Sequence, residues 1–239
     1  SRAVAASVAE HDDDVLLEVE QLSVEYASLG APTRACADVT FSLRRGEILG
    51  VVGESGSGKS TLITALTRLQ RPPAVTTAGR IMYHPREGGE AIDLVTLAPK
   101  RLRELRWTRL SIVLQSAMDA LNPVMRLGAQ FVDVLRTHDR SLSKAAAWDQ
   151  ARHLLSLVGI SADRVRSYPH ELSGGMRQRA TIALALACRP ELIVMDEPTT
   201  AVDVVMQRQI LAQVLRLRRE FGFAVVFVTH DLSLLLELA

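Results

Sequence analysis

The rhythm of apolar and polar residues changes several times along this chain, and each change marks a part of it. Residues 15–26 alternate, with Leu17, Val19, Leu22, Val24 and Tyr26 as the apolar positions, which predicts a half-exposed strand. A turn at 28–32 with Gly30 and Pro32 leads to a second strand over 36–43. Arg44-Arg45-Gly46 then turns into a third, apolar strand over 46–52. A helix is expected over 61–71, stopped by Pro72-Pro73. Short strand-like pieces over 79–98 surround a hairpin loop at His84-Pro85-Arg86-Glu87-Gly88-Gly89. The basic stretch 101–109 reads as a helix with a solvated face, and 110–114 as a strand ending in Gln115.

The pattern turns helical from 117 to 169, with one helix over 124–137 and a second running to Val158, capped by Ser143 and followed by Gly159. Ser173 is placed to cap another helix that reaches Cys188 before Pro190. Leu192-Ile193-Val194-Met195 is continuously apolar, so it reads as a strand buried on both faces, and it ends in Asp196-Glu197. Asp203 caps a helix over 204–220 closed by Gly222. A further buried strand over 223–229 ends in His230, and Asp231 caps a last helix.

The expected fold is α/β: a mostly parallel core, an N-terminal antiparallel β subdomain, and an inserted helical subdomain. The expected boundaries are a disordered leader over 1–14 with Asp12-Asp13-Asp14, the β subdomain and first part of the core over 15–116, the helical subdomain over 117–180, and the rest of the core over 181–239. The chain does not begin with Met and stops inside an apolar run, so a fragment of a longer protein is expected.

Composition changes this picture little. With 239 residues, 48% apolar and 23% charged, the chain has ordinary globular usage and enough length for a sizeable core. A formal net charge of +1 supplies no electrostatic argument for nucleic acid or an anionic membrane surface. No apolar run is long enough to span a bilayer. Cys36 and Cys188 stand apart without metal spacing and read as buried, inert thiols in a reducing compartment.

The chemistry is concentrated in Gly53-Glu54-Ser55-Gly56-Ser57-Gly58-Lys59-Ser60-Thr61, which fits G-x-x-x-x-G-K-[ST] between a strand and a helix. The glycines let the backbone aim successive N–H groups at phosphate oxygens, and the helix adds its positive end. Lys59 would reach the β- and γ-phosphates, and the Ser60 hydroxyl would ligate Mg²⁺. Chance produces the four fixed positions in roughly one chain in a hundred of this size. The chain therefore binds a nucleoside triphosphate, with a P-loop NTPase core. Leu172-Ser173-Gly174-Gly175 opens a second helix N-terminus fit for an anion, a weak signal alone. Asp196 at a strand's carboxyl edge suits the Mg²⁺ shell, and Glu197 beside it suits activation of a water. His230 lies where α/β sheets place their ligands. Tyr26 is either an adenine-stacking aromatic or a tyrosine at a strand edge.

In that order the motifs resemble the nucleotide-binding subunits of ABC transporters, over about 16–238. The resemblance implies that Tyr26 stacks on adenine and that Gln115 touches Mg²⁺ and the attacking water. It further implies that Glu197 is the catalytic carboxylate and that His230 contacts the γ-phosphate. Ser173-Gly174-Gly175, with Leu172, looks like the signature that closes in trans on ATP held by a partner subunit. Asp203 looks like the acid of the loop crossing that interface. Two chains, identical or different, would then form a head-to-tail dimer around two ATPs.

Ala120-Leu121-Asn122-Pro123, Tyr168-Pro169-His170-Glu171 and Ala187-Cys188-Arg189-Pro190 resemble peptide-type importers, a group that takes up oligopeptides, dipeptides, nickel or oligosaccharides. The implied partners are two transmembrane permease subunits and an extracytoplasmic solute-binding protein, with the chain on the cytoplasmic face of the membrane and no nucleic acid. Leu114-Gln115-Ser116-Ala117-Met118 departs from the commoner glutamine-aspartate-proline wording, and Val202 replaces the usual leucine before Asp203. The C-terminal extension usual in this group is not among these residues. The alternatives are an ABC ATPase acting on DNA or ribosomes, which typically carries a long coiled-coil insertion or two cassettes, and the ATPase of an exporter.

Overall fold

Between Val19 and Leu22 the alternation of the first strand skips a residue, and the backbone takes up that skip as a bulge. Gln21 adopts φ +47°, and the pairing of β1 (Val15–Tyr26) shifts register there on both sides. Opposite the bulge stands Gly79, where a Cβ would lie 2.5 Å from the Glu20 carbonyl oxygen and from the Leu22 Cα. Only glycine lets β1 pass so closely. The strand is thus buried along more of its length than a simple half-exposed strand, with Leu16, Leu17, Val19, Leu22 and Val24 all inside.

This is a computed structural model that describes residues 14–27, 31–86, 88–115, 120–198 and 203–231. The expected leader, part of the turn at 28–32, the segment after Gln115 and the helix after Asp231 lie wholly or mostly outside the described residues. The chain divides into two units, one of residues 1–104 and 224–239, the other of 105–223.

In the first unit β1 pairs antiparallel with β2 (Thr33–Arg44) and with β4 (Ala74–Tyr83), and β5 (Ile92–Asp93) adds to β4. This is the expected antiparallel layer, with β4 starting directly after the prolines. In a separate pairing, β3 (Ile48–Val52) lies parallel to β8 (Ala224–Thr229). Helix α1 (Lys59–Leu66) follows β3 and packs Leu62, Ile63, Ala65 and Leu66 into the core. It ends well before the prolines, contrary to the expected 61–71. Arg68 adopts φ +53°, its N–H bonds the Ala65 carbonyl, and the Leu69 N–H bonds the Thr64 carbonyl at 2.8 Å. That pair of bonds is a Schellman closure made without glycine. The Arg68 guanidinium compensates by donating to the Leu94 and Val95 carbonyls. Helix α2 (Pro99–Leu105) buries Leu102 and exposes Lys100, Arg101 and Arg103. It stops short of the expected 109 because Trp107 turns at φ +70°, and Arg109 lies off the solvated face, paired with Glu191 at 2.6 Å.

In the second unit β6 (Leu110–Val113) runs parallel to β7 (Leu192–Asp196), which is buried at every residue as its apolar run requires. Helices α3 (Leu127–His138) and α4 (Lys144–Leu157) form a pair. At their contact the Trp148 ring covers Gly128, where a Cβ would come within 2.1 Å of Trp148 Cζ3. The expected start of α3 at 124 moves to 127 because Asn122 Oδ1 accepts the Val124 N–H at 3.1 Å, a local turn that competes with helix. The buried Gln130 side chain fixes that turn from Asn122 and Met125. Ser143 caps α4 through the Ala146 N–H, as its position implied, and Gly159 follows at φ +69°. Helices α5 (Gly174–Ala185) and α6 (Val204–Phe221) complete the unit, α5 ending three residues earlier than expected. Among the described residues no helix is long and apolar enough to cross a membrane.

Candidate functional site

The loop between β3 and α1 is shaped by its glycines. Gly58 occupies the N-cap of α1 at φ +91° and has no side chain to satisfy the first-turn N–H groups. A Cβ on it would sit 2.3 Å from the Ala35 carbonyl oxygen of β2, and Cys36 Sγ donates to the Gly58 carbonyl at 3.6 Å. Strand β2 is therefore the floor against which the loop closes. A Cβ on Gly53 would meet Ser57 Oγ at 2.5 Å. Gly56 is also left-handed, at φ +79°, but has open space around it. Lys59 is only 6% exposed, and its Nζ donates to the carbonyls of Gly53 at 2.6 Å and Glu54 at 2.8 Å. A buried ammonium is thereby held at the loop by two acceptors.

Two observations show that this loop is suited to a phosphate. Ser57 Oγ is buried with no hydrogen-bond partner among the described residues, so its bonding capacity is unspent. The first-turn N–H groups of α1 lack a capping side chain next to a fixed cation. Ser60, Glu54 and Ser55 are exposed at the same loop. Tyr26, at the end of β1, is 37% exposed and shares a hydroxyl–hydroxyl hydrogen bond of 3.0 Å with Thr61 in the first turn of α1. His230 belongs to the same edge, because Thr229 pairs with Val52 and both strands leave the sheet there.

The contrast between two glycines gives a prediction. Gly58→Ala must move the Ala35 backbone as well as strain the cap, so it lowers stability by roughly 2–3 kcal/mol and abolishes tight nucleotide binding. Gly56→Ala meets only backbone strain and costs about 1 kcal/mol. Thermal unfolding with nucleotide titration of both variants checks this.

The second unit brings together another set. Val113 pairs with Met195, so Gln115 and Glu197 leave parallel strands at the same edge, and Gln115 Nε2 donates to Glu197 Oε2 at 3.1 Å. Asp196 is buried at the end of β7. Glu197 adopts φ +44°, a conformation a side-chain-bearing residue holds at a cost of order 1 kcal/mol. The carboxamide oxygen of Gln115 and the carboxylate of Asp196 are hard oxygen donors of the kind Mg²⁺ takes. Among the described residues no group of three or more His, Cys, Asp or Glu is disposed to hold a metal alone.

Ser173 Oγ accepts the Met176 N–H at 3.3 Å and Asp203 Oδ1 accepts the Met206 N–H at 2.9 Å, so both expected caps are in place. The two helix starts adjoin, since a Cβ on the buried Gly175 would meet Met206 Sδ at 2.7 Å. Leu172 is buried beneath them, while Ser173 is exposed and Gly174 half-buried. Val204 and Val205 beside Asp203 are 62% and 67% exposed. On the α3–α4 pair lies a groove of about 600 Å³ lined by Met125, Ala129, Val132 and Trp148 together with Asp133, Arg136, Thr137, Arg140 and Lys144. Sequence reasoning missed the Thr61 contact to Tyr26 and the floor that β2 supplies at Ala35 and Cys36. Both join residues more than twenty positions apart, and no local pattern encodes them.

Burial pushes both thiols, Cys36 and Cys188, up to about 11. Their neutral forms are favoured in the fold, so this contribution to stability is complete below the unfolded thiol range and is lost as pH rises from about 9 toward 11. In the native protein both should therefore alkylate slowly with iodoacetamide at pH 8, and at the ordinary rate once the chain is unfolded. Fast native labelling would contradict the inert reading.

The fold and this loop define a P-loop nucleotide-binding domain of α/β type. The family described as ABC transporter matches residues 36–200. The chain is 43% identical over 239 residues to the oligopeptide transport ATP-binding protein OppD of Salmonella typhimurium, covering 98% of this chain and 68% of that protein. It is 42% identical over 227 residues to the probable peptide ABC transporter ATP-binding protein y4tR of Sinorhizobium fredii, covering 94% and 66%. It is 40% identical over 226 residues to the dipeptide transport ATP-binding protein DppD of Haemophilus influenzae, covering 94% and 66%. The chain thus spans about two thirds of the length of these curated relatives. Among solved structures, a dimeric post-hydrolysis state of the ATP-binding cassette MJ0796 bound to ADP and Pi superposes with a TM-score of 0.78 at 26% identity, covering 92% of this chain and 90% of that one. The chain belongs to the ABC transporter family.

Proposed function

We propose that this chain is the ATP-hydrolysing, energy-coupling subunit of a membrane importer for peptides or related small solutes, and that it works as one half of a head-to-tail dimer with two ATPs between the halves. The observation that carries this reading is the likeness, across 94–98% of the chain, to proteins named for peptide, oligopeptide and dipeptide transport. The geometry supports the chemistry. Lys59, Ser57 and the first turn of α1 bind and orient the phosphates. Glu197 is the general base that takes a proton from the attacking water, and Gln115 holds its carboxylate. His230 meets the γ-phosphate.

Mg²⁺, when bound, neutralises phosphate charge, with Ser60, Gln115 and Asp196 as its proposed ligands. The exposed helix start at Ser173-Gly174-Gly175, with Asp203, Val204 and Val205 beside it, is the surface proposed for the partner's nucleotide and the partner cassette. The groove on α3–α4 is proposed for a membrane subunit, since its apolar residues and its three cations, against the one carboxylate of Asp133, suit an amphipathic segment with net negative charge.

The test is capture of the full-length protein, tagged at its native locus, from gently solubilised membranes. Two polytopic membrane proteins with an extracytoplasmic solute-binding protein are expected alongside it, on the cytoplasmic side. Ribosomal or DNA-associated partners without a membrane protein would keep the ATPase and overturn the transport role.

A further inference from the structure

The hydrogen bond between Tyr26 and Thr61 does something neither residue type requires. Tyr26 is the last residue of β1, and its backbone is held on both sides, paired with Thr33 of β2 and with Ala74 of β4. The next residue is anchored too, the Ala27 N–H donating to the Pro73 carbonyl at 2.9 Å. The Cα of Tyr26 is thus fixed, which leaves the ring two torsions. Its hydroxyl is then fixed at the far end by Thr61 Oγ1 at 3.0 Å, and either oxygen can donate. Thr61 is itself buried and stands two residues after Lys59, in the turn that carries the phosphate-binding N–H groups. Over a third of Tyr26 remains exposed, so the ring is pinned at both ends without being covered.

We infer that Thr61 is a positioning residue for the base of the nucleotide: through its hydroxyl it sets the plane of the Tyr26 ring and couples the base platform to the phosphate loop. This rests on the reading of Tyr26 as the aromatic that stacks on adenine. Stacking strength depends on ring orientation, and a ring already held in the bound orientation loses less freedom when the base arrives. A phenylalanine at this position would supply the same π face without the tether. One turn of α1 then reads both ends of the nucleotide, the phosphates through its N–H groups and Lys59, the base indirectly through Thr61.

The experiment compares equilibrium binding of Mg-ATP with binding of inorganic tripolyphosphate, which has no base, to the wild-type chain and to Tyr26→Phe, Tyr26→Ala, Thr61→Val, Thr61→Ser and the double variant Tyr26→Phe/Thr61→Val. Expected is a weakening of ATP binding by roughly threefold to tenfold in Tyr26→Phe and in Thr61→Val, the range for one lost hydrogen bond. The double variant is expected to be no weaker than the worse single one, and Thr61→Ser to bind as wild type. Tripolyphosphate affinity stays unchanged in Tyr26→Phe. If Tyr26→Phe binds ATP like the wild type while Tyr26→Ala is weakened, the base stacks but the tether is idle, and the inference is overturned. Additive losses in the double variant overturn it equally. If Tyr26→Ala leaves ATP binding untouched, the stacking reading itself fails. Loss of tripolyphosphate binding along with ATP in Tyr26→Phe would mean that the contact shapes the phosphate loop alone, which also defeats the inference.

Discussion

Lys59→Ala weakens ATP binding by about a hundredfold or more, with loss of hydrolysis to match. The ammonium has two parts in this, one toward phosphate in the proposed complex and one within the loop. Each charge-assisted hydrogen bond to phosphate is worth roughly 1.5–3 kcal/mol, and every 1.4 kcal/mol is tenfold in affinity. The same nitrogen ties the carbonyls of Gly53 and Glu54 together, so its removal also releases the loop that aims the N–H groups. The fold itself should survive, because α1 is anchored by Leu62, Ile63 and Leu66 and not by the lysine. Isothermal titration with Mg-ATP, alongside thermal unfolding, checks both halves of the prediction. Lys59→Arg should not rescue it, since a planar, wider head cannot occupy a site 6% exposed and bounded by two carbonyls.

Glu197→Gln leaves ATP affinity within about threefold of the wild type and lowers turnover by roughly 10²–10⁴-fold, the contribution of a positioned general base. The change is nearly isosteric. Glutamine keeps a carbonyl oxygen to accept the Gln115 N–H now held by Glu197 Oε2, and it has the same backbone requirement at φ +44°. What it loses is the capacity to take a proton. A steady-state phosphate-release assay separates the outcomes, and hydrolysis at the wild-type rate would remove Glu197 from its proposed role.

Much of this fold was legible from short-range signals. Ser143, Ser173 and Asp203 announce their helices because a cap acts over three residues, and each makes the predicted bond to the third N–H after it. The buried strand β7 follows from an apolar run too short and too flat for a helix. The loop after β3 was visible for the same local reason, since the lysine and the glycines that shape it all lie within residues 53–59.

What escaped the sequence depends on distant partners. Helix α1 closes at an arginine in the left-handed region, a place normally read from glycine, and two carbonyls some twenty-six residues away satisfy its guanidinium. Helix α3 starts late because an asparagine turn is stabilised by Gln130 from inside the helix. The bulge at Gln21 is permitted only because Gly79 faces it across β4. The contacts that refine the site are of this kind as well. Gln115 and Glu197 lie 82 positions apart in sequence, and the parallel pairing of β6 with β7 is what places them side by side.

In the proposed cycle ATP joins two cassettes through the loop on one and the helix start at Ser173 on the other. Sedimentation of the Glu197→Gln chain with and without Mg-ATP tests it most directly, because slow turnover keeps the nucleotide in place. A monomer is expected without nucleotide and a dimer with it, and a monomer again when Ser173→Arg is added. A chain that binds ATP with full affinity yet sediments as a monomer at every concentration, or a dimer indifferent to both ATP and Ser173, would contradict it.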